Sequence, residues 1–242
     1  MKKPYITNPW KNISWKKTVA DDDETVIYPA FCDVKGIDIA DLPEPYTGNI
    51  DSNVVFLSMN PGAGSSNRLF RFHKQYLQLT RETLNHSIGK SMWDEKIRCH
   101  NEGLHEGCIW WRERTAELRK AIAPTELNVF VLEYFPYHTA NTIKFPKLPS
   151  DTYRNYLLCQ AIDEGKLIVM LRGEKLWTGI MDKCCDEEKI GKKLLDYKNL
   201  IKHQNPRNIY FTQNNFKSED WKKLIEALKK PIVQKHKIIT NY

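Results

Sequence analysis

Asn53-Val-Val-Phe-Leu-Ser-Met-Asn-Pro-Gly62 decides the fold. Its β-branched and aromatic run is stopped by Asn60-Pro61-Gly62, which reads as a strand buried on both faces meeting a turn. Working outward, three more runs have the same grammar, at 127–133, 166–171 and 208–212. Helical stretches separate them. One is expected over 67–84. A second spans 105–122, with Ile109, Trp110, Leu118 and Ile122 near one face and Pro124 just past its end. Asp151 is expected to cap a helix running to about Glu164, with Tyr153, Tyr156, Leu157 and Ala161 on one side. Helical material follows from Glu174 to about Lys198. Ser218 is expected to cap a last amphipathic helix carrying Trp221, Leu224, Ile225 and Leu228. Strands that alternate with helices imply crossover connections and a mainly parallel sheet covered on both faces. The fold expected is therefore three-layer α/β with a four-stranded parallel sheet, in one domain spanning residues 1–242.

The 242 residues are 41% hydrophobic and 28% charged, a globular composition that excludes a disordered chain. The longest purely aliphatic run, 167–171, is far short of the roughly 20 residues of a membrane span. Lys2 and Lys3 are followed by Pro4 and polar residues, so no signal peptide is readable and a cytoplasmic or similarly reducing compartment is expected. The six cysteines contain no Cys-x-x-Cys pair, so neither a metal nor a cofactor is expected. Cys184 and Cys185 are expected in a helix, one thiol buried and the other half-exposed.

The net charge is +7. The first 66 residues are net acidic and the remainder is basic, which permits a polyanionic partner such as DNA or RNA. Residues 1–50, rich in proline and aromatic residues, read as an irregular arm packed on the body. Asp21-Asp22-Asp23-Glu24 within it reads as a solvated turn.

In open α/β sheets ligands bind outside the carboxyl ends of the strands. The informative exits are Ser58–Gly62, Glu133–His138, Arg172–Glu174 and Thr212–Asn215. Gly62-Ala63-Gly64-Ser65-Ser66 has the look of a phosphate loop. It lacks both the Gly-Lys-Ser/Thr end of a triphosphate loop and the third glycine of a dinucleotide fingerprint. Asn60, a polar side chain held by Pro61 at a strand tip, stands out, with Gly62 leaving room for a ligand beside the backbone.

Val-Phe-Leu-Ser-Met-Asn-Pro-Gly resembles the first motif of the uracil-DNA glycosylase superfamily, in the Gly-x-Asn-Pro-Gly form of its mismatch-specific and single-strand-selective branches. Ser58 stands where Gly is usual. Glu133-Tyr-Phe-Pro-Tyr137 is similar to that superfamily's second motif, Asn-x-Cys-Pro-Leu. The resemblance covers 53–215 and implies a sheet order of 2-1-3-4. It also implies that an extruded base is stacked on an aromatic ring and its N-glycosidic bond hydrolysed. Asn60 would hold the attacking water, orienting it without acting as a strong base. A backbone amide near Pro61 or Gly62 would meet a base carbonyl, and Phe70 would be the stacking ring.

Two departures qualify the resemblance. Glu133 occupies the place of a uracil-reading Asn. An ionised carboxylate only accepts hydrogen bonds, so it suits an amino-bearing edge better than uracil. With its pKa raised by burial it would instead be a candidate base. The last motif, usually His-Pro-Ser or Asn-Pro-Ser, is replaced by Thr212-Gln-Asn-Asn-Phe216. There Asn214 or Asn215 would supply the missing hydrogen bond and Phe216 would wedge a base step. Tyr137 and His138, at the second exit, complete the expected binding set, His138 as a substitute for the absent histidine. Asn60, Glu133 and Asn214 are expected to converge on one pocket. Two other functions fit the same residues: a nucleic-acid or nucleotide binder that has lost hydrolysis, and a small-molecule enzyme holding a phosphate at 62–66.

Overall fold

The computed structural model describes residues 6–11, 13, 17–33, 36–63, 74–87, 98–99, 103–104, 106–140, 143–184 and 186–234. The five strands of its main sheet are β1 (Tyr46–Gly48), β2 (Val54–Ser58), β3 (Phe130–Glu133), β4 (Leu167–Met170) and β5 (Leu200–Lys202), in the order β1-β3-β2-β4-β5. β2, β3, β4 and β5 run parallel, and β1 pairs antiparallel with β3. Among the described residues the helices are α1 (Glu24–Asp33), α2 (Lys74–Leu84), α3 (Glu106–Ile122), α4 (Asp151–Asp163), α5 (Glu174–Thr178), α6 (Ile190–Leu195) and α7 (Ser218–Lys229).

Strand periodicity builds two cores. Val55, Leu57, Phe130, Leu132, Ile168 and Met170 face one side, where they meet Tyr153, Leu157 and Leu158 of α4. Val54, Phe56, Val131, Leu167, Val169 and Ile201 face the other, against Leu118 and Ile122 of α3 and Trp221, Leu224 and Leu228 of α7. Successive side chains of a strand point to opposite faces, so a sheet covered on both sides needs every residue apolar. Among the described residues no helix is long and apolar enough to cross a membrane.

Several expectations change. The fourth parallel strand is β5, and 208–212 stays outside the sheet. Phe211 instead stacks on Phe56 of β2, ring centroids 4.7 Å apart, while its backbone N–H donates to Arg114 O at 2.9 Å. Phe211 is fully buried in the core shared with α3 and α7, so the segment covers that face of the sheet. The four parallel strands stand in the order β3-β2-β4-β5, the 2-1-3-4 arrangement with 200–202 as its fourth strand in place of 208–212, and β1 adds an antiparallel edge beside β3 that was not expected.

The described residues of the 1–50 arm pack on the body but are not irregular throughout. They supply α1 and β1, and Ile37–Asp38 forms a short ladder with His138–Thr139. The acidic run is a helix entrance and not a solvated turn. Asp23 is fully buried and accepts from Tyr137 Oη at 2.9 Å and Ser150 N at 3.0 Å. Gly48 closes β1 at φ +93°, where a Cβ would stand 2.0 Å from Val129 O, so only glycine fits.

On α3 the buried stripe is Cys108, Trp111, Thr115, Leu118 and Ile122. Ile109 and Trp110, expected beside them, are exposed. The helical stretch expected over 174–198 is two short helices, α5 and α6. Ser150 and Lys217, not Asp151 and Ser218, occupy the N-cap positions of α4 and α7, without side-chain caps. Cys184 lies between α5 and α6 and is disulfide-bonded to Cys159 of α4, in place of the free helical thiol expected. Cys185, Phe70 and residues 64–66 lie outside the described residues.

Candidate functional site

The exits of β2 and β3 are laced together. Phe135 N donates to Met59 O at 2.8 Å, Thr139 N to Pro61 O at 3.1 Å, and Ala63 N to Thr139 O at 3.2 Å. His138 is buried, with Nδ1 3.0 Å from Gly62 O and Nε2 3.1 Å from Leu42 O. These bonds fix the backbone around Asn60 before any ligand arrives. The Ala63 amide is consumed by Thr139, which removes one of the donors that a phosphate at 62–66 would need.

Asn60 is pinned as well. Its Nδ2 donates to Thr139 Oγ1 at 2.7 Å and to Pro61 O at 2.9 Å. Both amide protons are spent within the protein, and Oδ1 is left without a hydrogen bond among the described residues. A Cβ placed on Gly62 would meet nothing within 4 Å. Nothing among the described residues there demands a glycine.

Glu133 ends β3 directly opposite Ser58 of β2. Its Oε2 is sealed from solvent and has no hydrogen-bond partner among the described residues. Burial, with a contribution from the Glu44 carboxylate, pushes its pKa up to about 8, opposed by the Ser58 hydroxyl and the Arg172 guanidinium. The group is therefore mostly a neutral acid at pH 7, which departs from the ionised acceptor and agrees with the burial-raised pKa held open as the alternative. Burying a charge is costlier than holding a proton.

Glu44 lies beside it, itself buried. It accepts from Tyr76 Oη at 3.3 Å and approaches His138 Nε2 at 3.8 Å. Burial and Asp41 raise the Glu44 pKa, while His138 and Tyr76 draw it down. Arg172, partly buried just past β4, donates through Nε to Pro206 O at 3.0 Å. Burial lowers its pKa and Glu133 opposes that.

These groups line a cavity of about 510 Å³, within the usual range for small-molecule sites. Asn60, Pro61, Gly62, Glu133 and His138 all contribute to its wall, as do Glu44, Thr139, Arg172 and the Trp110–Trp111 pair of α3. Trp110 is 41% exposed, while Trp111 is buried with its indole Nε1 unpartnered among the described residues. The two rings lie 6.4 Å apart at 27°.

Four expected residues are elsewhere. Asn214 is exposed on the short turn Gln213–Asn215 and does not line the cavity, so the expected three-way convergence reduces to Asn60 and Glu133. Asn215 spends its amide on Tyr210 O at 2.8 Å. Phe216, the expected wedge, is buried against Phe211 and Trp221. Tyr137 is fully buried and turned toward the arm, donating to Asp23 and accepting from Ala20 N at 3.2 Å. His138 reaches the cavity wall, but both ring nitrogens are engaged with backbone carbonyls.

Sequence reasoning missed Thr139, Glu44 and the tryptophan pair. Thr139 is adjacent to a motif already singled out, and Arg172 sits within an exit that was named. Glu44 carried no signal, because its segment joins the site only through β1. Among the described residues no group of three His, Cys, Asp or Glu side chains is arranged to hold a metal ion. The chain matches no protein-family model, no curated protein and no solved structure.

Proposed function

We propose that the chain is a uracil-DNA glycosylase-like hydrolase that takes a nucleobase extruded from DNA into this cavity and cleaves its N-glycosidic bond. The observation that carries the reading is Asn60. Its amide nitrogen is held by Thr139 and Pro61, so Oδ1, without a hydrogen bond among the described residues, has one fixed direction at the wall of a cavity large enough to admit a base. An acceptor held in this way orients a water molecule for attack without serving as a strong base. Trp110, exposed at the cavity wall, offers a face for a base or its neighbour, a contact worth about 1–3 kcal/mol per stacked base. The positive net charge supports approach to a phosphate backbone.

The test is incubation with duplex and single-stranded oligonucleotides bearing uracil, hypoxanthine, xanthine or mismatches, followed by alkaline cleavage at abasic sites. Strand scission is expected with the wild type and is lost in Asn60→Ala. Oligonucleotide binding without scission would leave a binding protein. The absence of both, even at low salt, would end the nucleic-acid reading.

A further inference from the structure

We infer that Glu133 is the general acid of this site, donating a proton from Oε1 to the base as it departs. The inference rests on the nucleobase reading above and assigns a step within it. Glu133 and Asn60 stand at the exits of neighbouring parallel strands and line one cavity. Oε2 is sealed and without a hydrogen-bond partner among the described residues, so we place the contact with a bound molecule at Oε1. One atom cannot match the paired donor and acceptor of a base edge, as an amide in this place would, but it can pass a proton. The single-point contact therefore favours catalysis over edge reading.

The surroundings suit both halves of the transfer. The charged groups facing the carboxyl are Glu44, from the segment ahead of β1, and Arg172, past β4. Beyond Glu44 lie Asp41, Tyr76 and His138. Burial and Glu44 keep the proton on Glu133 at neutral pH, and Arg172 stabilises the carboxylate once it has gone. Glu44 is less suited to the role, since Tyr76 and His138 already engage it.

In the step itself the C1′–N bond breaks and its electron pair goes to the base, which takes the Glu133 proton and leaves neutral. The water at Asn60 Oδ1 adds to C1′ and sheds its extra proton to solvent, from which Glu133 is reprotonated. The net change is glycoside plus water to free base plus sugar hydroxyl. Bases that leave poorly as anions depend on this proton most.

Single-turnover excision from pH 6 to 10 tests the assignment, using oligonucleotides with hypoxanthine or uracil beside matched ones with 7-methylguanine or 5-fluorouracil. The second pair leaves readily without protonation. Wild-type rates on the first pair are expected to be level at neutral pH and to fall about tenfold per unit above pH 8. Glu133→Gln is expected to lower them by about 10²–10⁴-fold and to remove the pH dependence, while retaining most activity on the second pair. Equal losses on both pairs, or an unchanged pH profile in Glu133→Gln, would overturn the acid role and leave the base-excision reading standing. No excision of any base by the wild type would overturn both. Infrared difference titration of the carboxyl, read on the wild type against Glu133→Gln, is independent of turnover. A midpoint near 8 is expected, and one below 6 would overturn the assignment.

Discussion

Replacing Glu133 by Gln isolates the energetic consequence of its burial without reference to any substrate. The group titrates near 8 in the folded protein against an ordinary value of 4.5. Its folded pKa is raised, so the folded state holds the proton more tightly. The favourable contribution is complete below pH 4.5 and is lost as pH climbs through 8. Between pH 5 and pH 8.5 those two values make unfolding easier by about 4 kcal/mol. Glu133→Gln cannot ionise, so this part of the pH dependence disappears. Any fixed cost of placing an amide beside the sealed Oε2 position cancels when the two pH values are compared. Urea unfolding of both proteins at pH 5 and 8.5 is the assay. The wild type should lose about 4 kcal/mol more than the variant over that interval. Asp23 and Asp151, both raised by burial, contribute in the same direction to both proteins and leave the difference largely untouched, while the coupling of Glu44 to Glu133 is part of the difference measured. A difference below about 1 kcal/mol, less than one pKa unit's worth, would show that Glu133 ionises normally and that its burial is not felt electrostatically.

Other consequences follow from single contacts. Thr139→Val removes the acceptor that fixes the Asn60 amide. Excision should fall at least about tenfold, by the geometric argument for positioned reactants, with oligonucleotide affinity little changed; unchanged single-turnover rates would count against the pinning role. Tyr137→Phe strips a hydrogen bond from buried Asp23 and from the Ala20 amide, and thermal or urea unfolding should register a loss of about 2–4 kcal/mol. Reducing the Cys159–Cys184 bridge, which joins positions 25 residues apart, should cost about 3 kcal/mol on loop-closure grounds, measured by unfolding with and without reductant. Trp110→Ala should weaken single-stranded oligonucleotide binding by about 1–3 kcal/mol, read by fluorescence anisotropy.

The sequence carries the local decisions. The apolar runs around Val54–Leu57, Phe130–Leu132 and Leu167–Met170 are too short for helices and too continuous for a one-sided sheet, so their burial on both faces was legible. The turn chemistry of Asn60-Pro61-Gly62 marked a strand exit, and parallel strands bring such exits to one edge. Asn60, Glu133 and the His138 segment could thus be named together. What the sequence could not decide was competition between distant segments. Asn208–Thr212 and Leu200–Lys202 are both short and apolar in part. Leu200–Lys202 pairs with β4 while Phe211 is buried against Phe56, and only the packed sheet shows which segment takes which place. Asn214 fell away from the site for the same reason, since its segment crosses a face instead of ending a strand. The protonation of Glu133 is also a tertiary property. A carboxyl has an ordinary pKa until water is excluded from it, and Glu44, brought in by β1, and Arg172, brought in by β4, meet it only when the sheet has formed.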